Sequence, residues 1–100
     1  MNIIVKEQNG ERYAILDGRL DTAAAPQAQK DMQSLLNGDG KNVVIDCTGL
    51  QYISSSGLRL FLGVLKATKS KGGHVYITGM NDENKKVFDM TSFTNLFEFR

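Results

Sequence analysis

The apolar run Val43-Val44-Ile45 constrains the fold more than any other stretch of this 100-residue chain. Gly40 and Gly49 bound the run, which consists of β-branched residues without polar alternation. Such a run is typical of a strand that is covered on both faces, as in sheets whose parallel strands are connected by helices. We therefore expect it to form the middle strand of an α/β sheet.

Two further β-rich stretches precede this strand, at residues 3–8 and 13–16. Asn9-Gly10 lies between them, and this dipeptide tolerates the positive φ angles of a tight hairpin turn. The sequence therefore predicts that the chain opens with an antiparallel hairpin.

Apolar residues at helical spacing follow the hairpin. Residues 22–36 are predicted as a first helix, with Asp21 or Thr22 as its cap and Asn37-Gly38 as its end. Pro26 is compatible with the first turn of such a helix, because that turn does not need its N–H.

The rest of the chain alternates helix and strand. A helix is predicted from Leu58 to just before Gly72-Gly73, and a short helix follows a cap at Asn81. Strands are predicted at residues 75–78 and 96–99. The expected fold class is α/β, with a mixed β-sheet, an N-terminal antiparallel hairpin and helices packed against the sheet.

Composition excludes several function classes. Lys and Arg total 12 against 11 acidic residues, so the formal charge of +1 provides no broad field for nucleic acid or acidic lipid. No segment approaches the roughly 18 apolar residues of a membrane helix, and the N-terminus does not resemble a signal peptide. We expect a single domain over residues 1–100, cytoplasmic and without membrane insertion.

Cys47 and His74 are the only cysteine and histidine. Cys47 follows the apolar run, so a buried thiol is expected; His74 precedes a predicted strand and is expected to face solvent. One of each is too few for a zinc site, and no calcium-loop, nucleotide-binding or serine-hydrolase motif is present. We expect no metal, no cofactor and no enzyme.

Three consecutive serines, Ser54, Ser55 and Ser56, stand between strand and helix, before Gly57-Leu58. One serine is enough to cap a helix by accepting hydrogen bonds from its first N–H groups. A surplus hydroxyl at a helix N-terminus is also a favourable place for a phosphate. Residue types alone leave capping and phosphorylation equally good interpretations.

Three segments together resemble the STAS domain of bacterial anti-sigma factor antagonists, and the resemblance spans nearly the whole chain. They are Ile-Ser-Ser-Ser-Gly-Leu-Arg at residues 53–59, Gly-Arg-Leu-Asp at 18–21 and Val-Val-Ile-Asp at 43–46. The family order and spacing are preserved. The family often has aspartate where this chain has Ser54, and many members continue beyond the last strand into another helix.

The resemblance implies a binding switch rather than an enzyme. Family members dock on an anti-sigma factor that is also a serine kinase of the GHKL type, and the kinase phosphorylates the first serine of Ser-Ser-Gly-Leu. Carried over, that residue is Ser55, with Ser56 and Ser54 as alternatives, and a PPM-type phosphatase is expected to reverse the modification. Ser56 is expected to cap the helix as well, and Asp21 to lie near the phosphorylation site.

The partner-binding surface expected from the resemblance consists of Asp21, Ser54, Ser55, Ser56, Gly57 and Arg59. The phosphate is expected to add its charge beside Asp21 and also near Asp46. The alternative function is a stand-alone STAS subunit of a transport ATPase or another signalling complex, without phosphoregulation, in which the serines serve only as caps.

Overall fold

The computed structural model describes residues 1–37, 39–91 and 95–100. The described residues form one five-stranded sheet, in which the strands lie side by side in chain order. The strands are β1 Asn2–Gln8, β2 Glu11–Leu20, β3 Val43–Ile53, β4 Val75–Thr78 and β5 Glu98–Phe99. The helices are α1 Ala25–Asp31, α2 Gln33–Leu36, α3 Ser55–Lys69 and α4 Asp82–Met90.

The central position of the apolar run is confirmed. Strand β3 lies between β2 and β4, and it is parallel to both. Val43, Val44 and Ile45 are each no more than 2% exposed. Since β1 and β2 are antiparallel and β4 and β5 parallel, the sheet is mixed, as predicted.

The N-terminal hairpin is also confirmed, with Asn9 and Gly10 both at positive φ, 54° and 77°. Strand β2, however, does not end at residue 16 as predicted but continues to Leu20. The longer strand follows from its parallel partner, since β3 pairs with it up to Leu20 opposite Ile53. Two register shifts absorb the interruption at Gly18, whose φ of 117° disfavours other residues.

The first helix is not continuous over residues 22–36, as the periodicity predicted. It is divided into α1 and α2 at Met32, whose φ of −100° and ψ of 14° leave helical geometry. Met32 and Leu35 are nevertheless buried against the core. At the break the Leu35 N–H donates to the Met32 carbonyl at 3.0 Å, one residue short of helical spacing, while the apolar face remains as predicted. The predicted end at Gly38 lies outside the described residues.

Helix α4 begins as predicted, since the Asn81 side chain accepts a hydrogen bond from the Asn84 N–H at 2.8 Å. The last strand is shorter than the predicted residues 96–99, because only Glu98 and Phe99 pair with β4. Phe97 is instead buried among the aromatic rings of the core, so the pattern that indicated alternation reflects a core contact.

The core lies between the helices and one face of the sheet. Its largest side chains include Phe61 of α3 and Phe88 of α4, both fully buried, with ring centroids 5.8 Å apart. Phe97 completes this aromatic cluster at 6.4 Å from Phe61 and 5.6 Å from Phe88. The cluster fixes α3 and α4 against each other and thereby holds the start of α3 in position.

Cys47 is buried, as predicted, and burial raises the pKa of its thiol to about 12, with Asp46 contributing. We expect native protein at pH 8 to resist thiol reagents and denatured protein to react fully. The folded thiol keeps its proton to higher pH than the unfolded one. Its stabilising contribution is therefore present at neutral pH and is lost as the pH rises from about 8.5 toward 12. Rapid labelling of native protein would contradict this placement.

Candidate functional site

The three serines lie where β3 ends and α3 begins, and we call residues 54–57 the serine turn. Ser54 is the N-cap residue, and its Oγ accepts a hydrogen bond from the Gly57 N–H at 3.2 Å. Its side chain is buried. The expectation that Ser56 caps the helix is therefore wrong, because α3 already begins at Ser55 and the cap position falls on Ser54.

Ser55, the first residue of α3, differs from both neighbours. Its side chain is exposed, and it makes no side-chain hydrogen bond within the part of the chain that the structure describes. Ser56 is half-buried. Capping is thus accounted for by Ser54, which leaves the Ser55 hydroxyl free at the positive end of the helix.

Gly57 allows α3 to begin in close contact with the sheet. A Cβ at this position would lie 2.8 Å from Cγ of Leu20 and 2.9 Å from Cγ1 of Ile53. These two residues pair at the ends of β2 and β3, and the Ser54 N–H donates to the Leu20 carbonyl at 2.9 Å. The glycine therefore fixes the serine turn tightly onto the end of the sheet.

Asp21 and the serine turn lie at the same edge of the sheet, because they directly follow two neighbouring parallel strands. The Asp21 carboxylate accepts a hydrogen bond from the Ala24 N–H at 2.8 Å and so orders the turn before α1. Asp21 is half-buried, and its turn forms part of the same surface as the serine turn.

Asp46 does not belong to this site, contrary to expectation. It lies in the middle of the sheet, paired with Ile15 and Thr78, and its carboxylate accepts the Thr48 N–H at 3.0 Å. Ile53 lies seven positions further along β3, which is a distance of roughly 20 Å along a strand. Asp21, and not Asp46, therefore shares the end of the sheet with Ser55.

A groove of about 490 Å³ adjoins the serine turn between the first helical segments and α3. It is lined by Thr22, Ala25, Pro26, Gln29, Leu36, Ser56, Arg59, Leu60 and Gly63. Arg59 was expected at the binding surface, and the structure places it on the groove wall. The groove was not predicted from the sequence. The one sequence signal for it is Gly63, a glycine in the interior of α3, where a Cβ would lie 3.1 Å from Leu36.

The different environments of the serines predict different stabilities for two alanine variants. Ser54→Ala removes the cap of α3 and is expected to cost about 1 kcal/mol of unfolding free energy. Ser55→Ala removes an exposed hydroxyl and is expected to change stability by less than about 0.5 kcal/mol. Urea denaturation of both variants measures the difference. Equal losses, or a larger loss for Ser55→Ala, would contradict the assignment of the cap.

His74 and the serine turn lie at opposite ends of β3, so they do not form a catalytic pair. His74 precedes β4 beside the start of β3, whereas the turn follows the end of β3. His74 is exposed, as predicted, with Nδ1 2.9 Å from a carboxylate oxygen of Glu98. Within the described ranges, no three His, Cys, Asp or Glu side chains converge as a metal site would require.

The fold and the serine turn define a STAS domain. The model of the STAS domain family matches residues 2–100, and this chain belongs to that family. Of the helices within residues 1–37, 39–91 and 95–100, none combines the length and apolar character needed to cross a bilayer.

Sequence relatives cover nearly the same length. BtrV of Bordetella bronchiseptica is 28% identical over 97 residues, which are 97% of this chain and 84% of BtrV. The anti-sigma-B factor antagonist of Listeria monocytogenes is 24% identical over 101 residues, covering 100% of this chain and 89% of the relative.

Solved structures share the fold. An anti-sigma factor antagonist from Mycobacterium paratuberculosis superimposes with a TM-score of 0.85 at 16% identity, over 98% of this chain and 83% of the other. The Bacillus cell fate determinant SpoIIAA, in its phosphorylated form, gives a TM-score of 0.72 at 16% identity, over 99% and 91% of the two chains. At these identities the likeness concerns the fold.

Proposed function

We propose that this chain is an anti-sigma factor antagonist, a single STAS domain whose docking on an anti-sigma factor is controlled by phosphorylation of Ser55. The observation that carries the proposal is that the neighbouring serines Ser54 and Ser55 have different environments in the serine turn. Ser54 caps α3, and Ser55 presents a free, exposed hydroxyl at the helix start. A purely structural role for the turn requires the Ser54 cap but not a free hydroxyl on Ser55.

The docking surface comprises Asp21, the serine turn and Arg59, with the adjoining groove. Unmodified protein binds a partner here that is both anti-sigma factor and GHKL-type serine kinase, so that a sigma factor is released. The sequence relative named as an anti-sigma-B factor antagonist supports an anti-sigma factor as the partner. We place the switch in the cytoplasm, with a PPM-type phosphatase restoring the unmodified form.

Phosphorylation suits this position because the fold tolerates it and a close partner does not. A phosphate adds about 1.5 to 2 negative charges, which the N-terminal end of α3 stabilises. A partner surface packed against Ser55 must instead accommodate a bulky, desolvated anion beside Asp21. A hundredfold loss of affinity requires only about 2.7 kcal/mol.

The partner class is tested by affinity capture with the purified protein from a lysate of the source cells, followed by identification of the bound proteins. The proposal predicts a GHKL-type serine kinase. Capture of an ABC-type ATPase instead would favour the transport-subunit function, in which the serines are only caps.

The modified residue is tested by incubating the protein with the captured kinase and ATP and measuring its intact mass. The proposal predicts addition of one phosphate to wild type and to Ser56→Ala, and none to Ser55→Ala. Phosphate on Ser55→Ala would show that another residue is modified, and no phosphate on any variant would overturn phosphoregulation.

A further inference from the structure

We propose that the Arg59 guanidinium binds two anions alternately. One is a carboxylate of the docked partner, and the other is the phosphate on Ser55, which displaces that carboxylate and releases the partner. The inference rests on the proposed function and states how its switch works. It also specifies the partner chemistry, a segment that places an Asp or Glu side chain among small or apolar residues in the groove.

Ser55 and Arg59 are four residues apart on α3, so their side chains lie one above the other on the same helical face. Side chains in a helix tilt toward its N-terminus, which directs Arg59 back over the turn that begins with Ser55. An anion four residues N-terminal to a cation is also the favourable orientation for a helical ion pair.

Arg59 has no partner among the described residues, unlike the other three arginines. Arg12 pairs with Asp39 at 2.6 Å, and Arg100 with Glu11 at 3.2 Å. The Arg19 guanidinium lies over the Tyr52 ring, 4.6 Å from its centroid. Arg59 is exposed and available for an incoming anion.

The groove beside the serine turn carries little charge. Among the described residues that line it, Arg59 is the only charged one, and the others are apolar, small or neutral polar. A segment that fills this groove meets one positive charge in mostly uncharged surroundings. Charge complementarity therefore selects a partner with one carboxylate at this point, and a bidentate bond suits a guanidinium.

The two uses of Arg59 exclude each other. When the phosphate on Ser55 takes the guanidinium, the partner carboxylate is left without its cation and faces a phosphate instead. Partner binding then fails because a contact is lost and a like charge is introduced at the same place. The helix itself is unaffected, since the new ion pair lies within α3.

The ion pair between phosphorylated Ser55 and Arg59 is tested with this protein alone. Phosphoserine is incorporated at position 55 during translation, and the second deprotonation of the phosphate is followed by ³¹P NMR. We expect its midpoint to lie roughly 0.3 pH unit lower in wild type than in Arg59→Gln, because Arg59 favours the dianion. Arg59→Lys is expected to restore part of the shift.

Arg19→Gln is the matched control, because Arg19 lies at the same end of the sheet but is stacked on Tyr52. The phosphate on Ser55 should have the same titration midpoint in Arg19→Gln as in wild type. Asp21 raises the midpoint by its negative charge, but it is present in every variant and does not affect the comparison. Identical midpoints for wild type and Arg59→Gln would show that Arg59 does not bind the phosphate and would overturn the inference.

The contact between Arg59 and the partner is tested by measuring the affinity of the captured kinase for wild type and Arg59→Gln. Each protein is measured unmodified and phosphorylated. We expect Arg59→Gln to weaken unmodified binding at least about tenfold and to reduce the effect of phosphorylation. If phosphorylation weakens both proteins equally, the shared-cation inference fails and the proposed function stands. If it weakens neither, the proposed function fails.

The occupant of the groove is checked with the protein alone by sedimentation velocity. The inference predicts the same sedimentation for wild type and Arg59→Gln. A wild-type dimer that Arg59→Gln dissociates would identify the occupant as a second copy of this chain and overturn the partner assignment.

Discussion

Phe61→Ala is expected to lower the free energy of unfolding by about 3–5 kcal/mol, a large share of the stability of a domain this size. Phe61 is fully buried and contacts the rings of Phe88 and Phe97. The truncation leaves a cavity between α3 and α4 that neighbouring side chains fill only in part. Thermal unfolding should show a decrease in Tm of at least about 12 °C.

Leu62→Ala is the matched control, because Leu62 is the next residue of α3 but is only partly buried. Its truncation is expected to cost about 1 kcal/mol. If Leu62→Ala proved as destabilising as Phe61→Ala, the buried face of α3 would differ from the one described, and so would the placement of the serine turn.

Ser55→Asp is expected to weaken partner binding at least about 100-fold while leaving the fold intact. A carboxylate at the first position of α3 is compatible with the helix dipole, so Tm should change by no more than a few degrees. A partner apposed to the serine turn must desolvate the new charge next to Asp21. Isothermal titration calorimetry with the captured kinase measures the loss.

Ser70→Asp adds the same charge at the other end of α3, about 20 Å away, and serves as the control. It is expected to bind as wild type does. Equal weakening by both substitutions would indicate a general charge effect, and unchanged binding of Ser55→Asp would remove the serine turn from the interface.

Local signals in the sequence were sufficient for most of the fold. Asn9-Gly10 specifies a hairpin through backbone geometry alone, and the apolar run at residues 43–45 requires burial on both faces. The break at Met32 and the short β5 were not predictable in this way. Met32 and Phe97 are placed by packing against residues distant in the chain, which no window of sequence contains.

The site was predicted in outline. The serine turn and its neighbour Asp21 follow from the order of strands, which brings the ends of β2 and β3 together. The choice of cap depended on the residue at which α3 begins, and periodicity does not fix a helix boundary that closely. The incorrect placement of Asp46 at the site also comes from an element boundary, because β3 continues to Ile53, well beyond its apolar run.

The proposed switch requires that one phosphate on Ser55 controls docking. Its most direct test is a calorimetric titration of the captured kinase with the same protein preparation before and after stoichiometric phosphorylation, with the site confirmed by peptide mapping. We expect at least about a 100-fold higher Kd for the phosphorylated protein. Equal affinity of the two forms would contradict it.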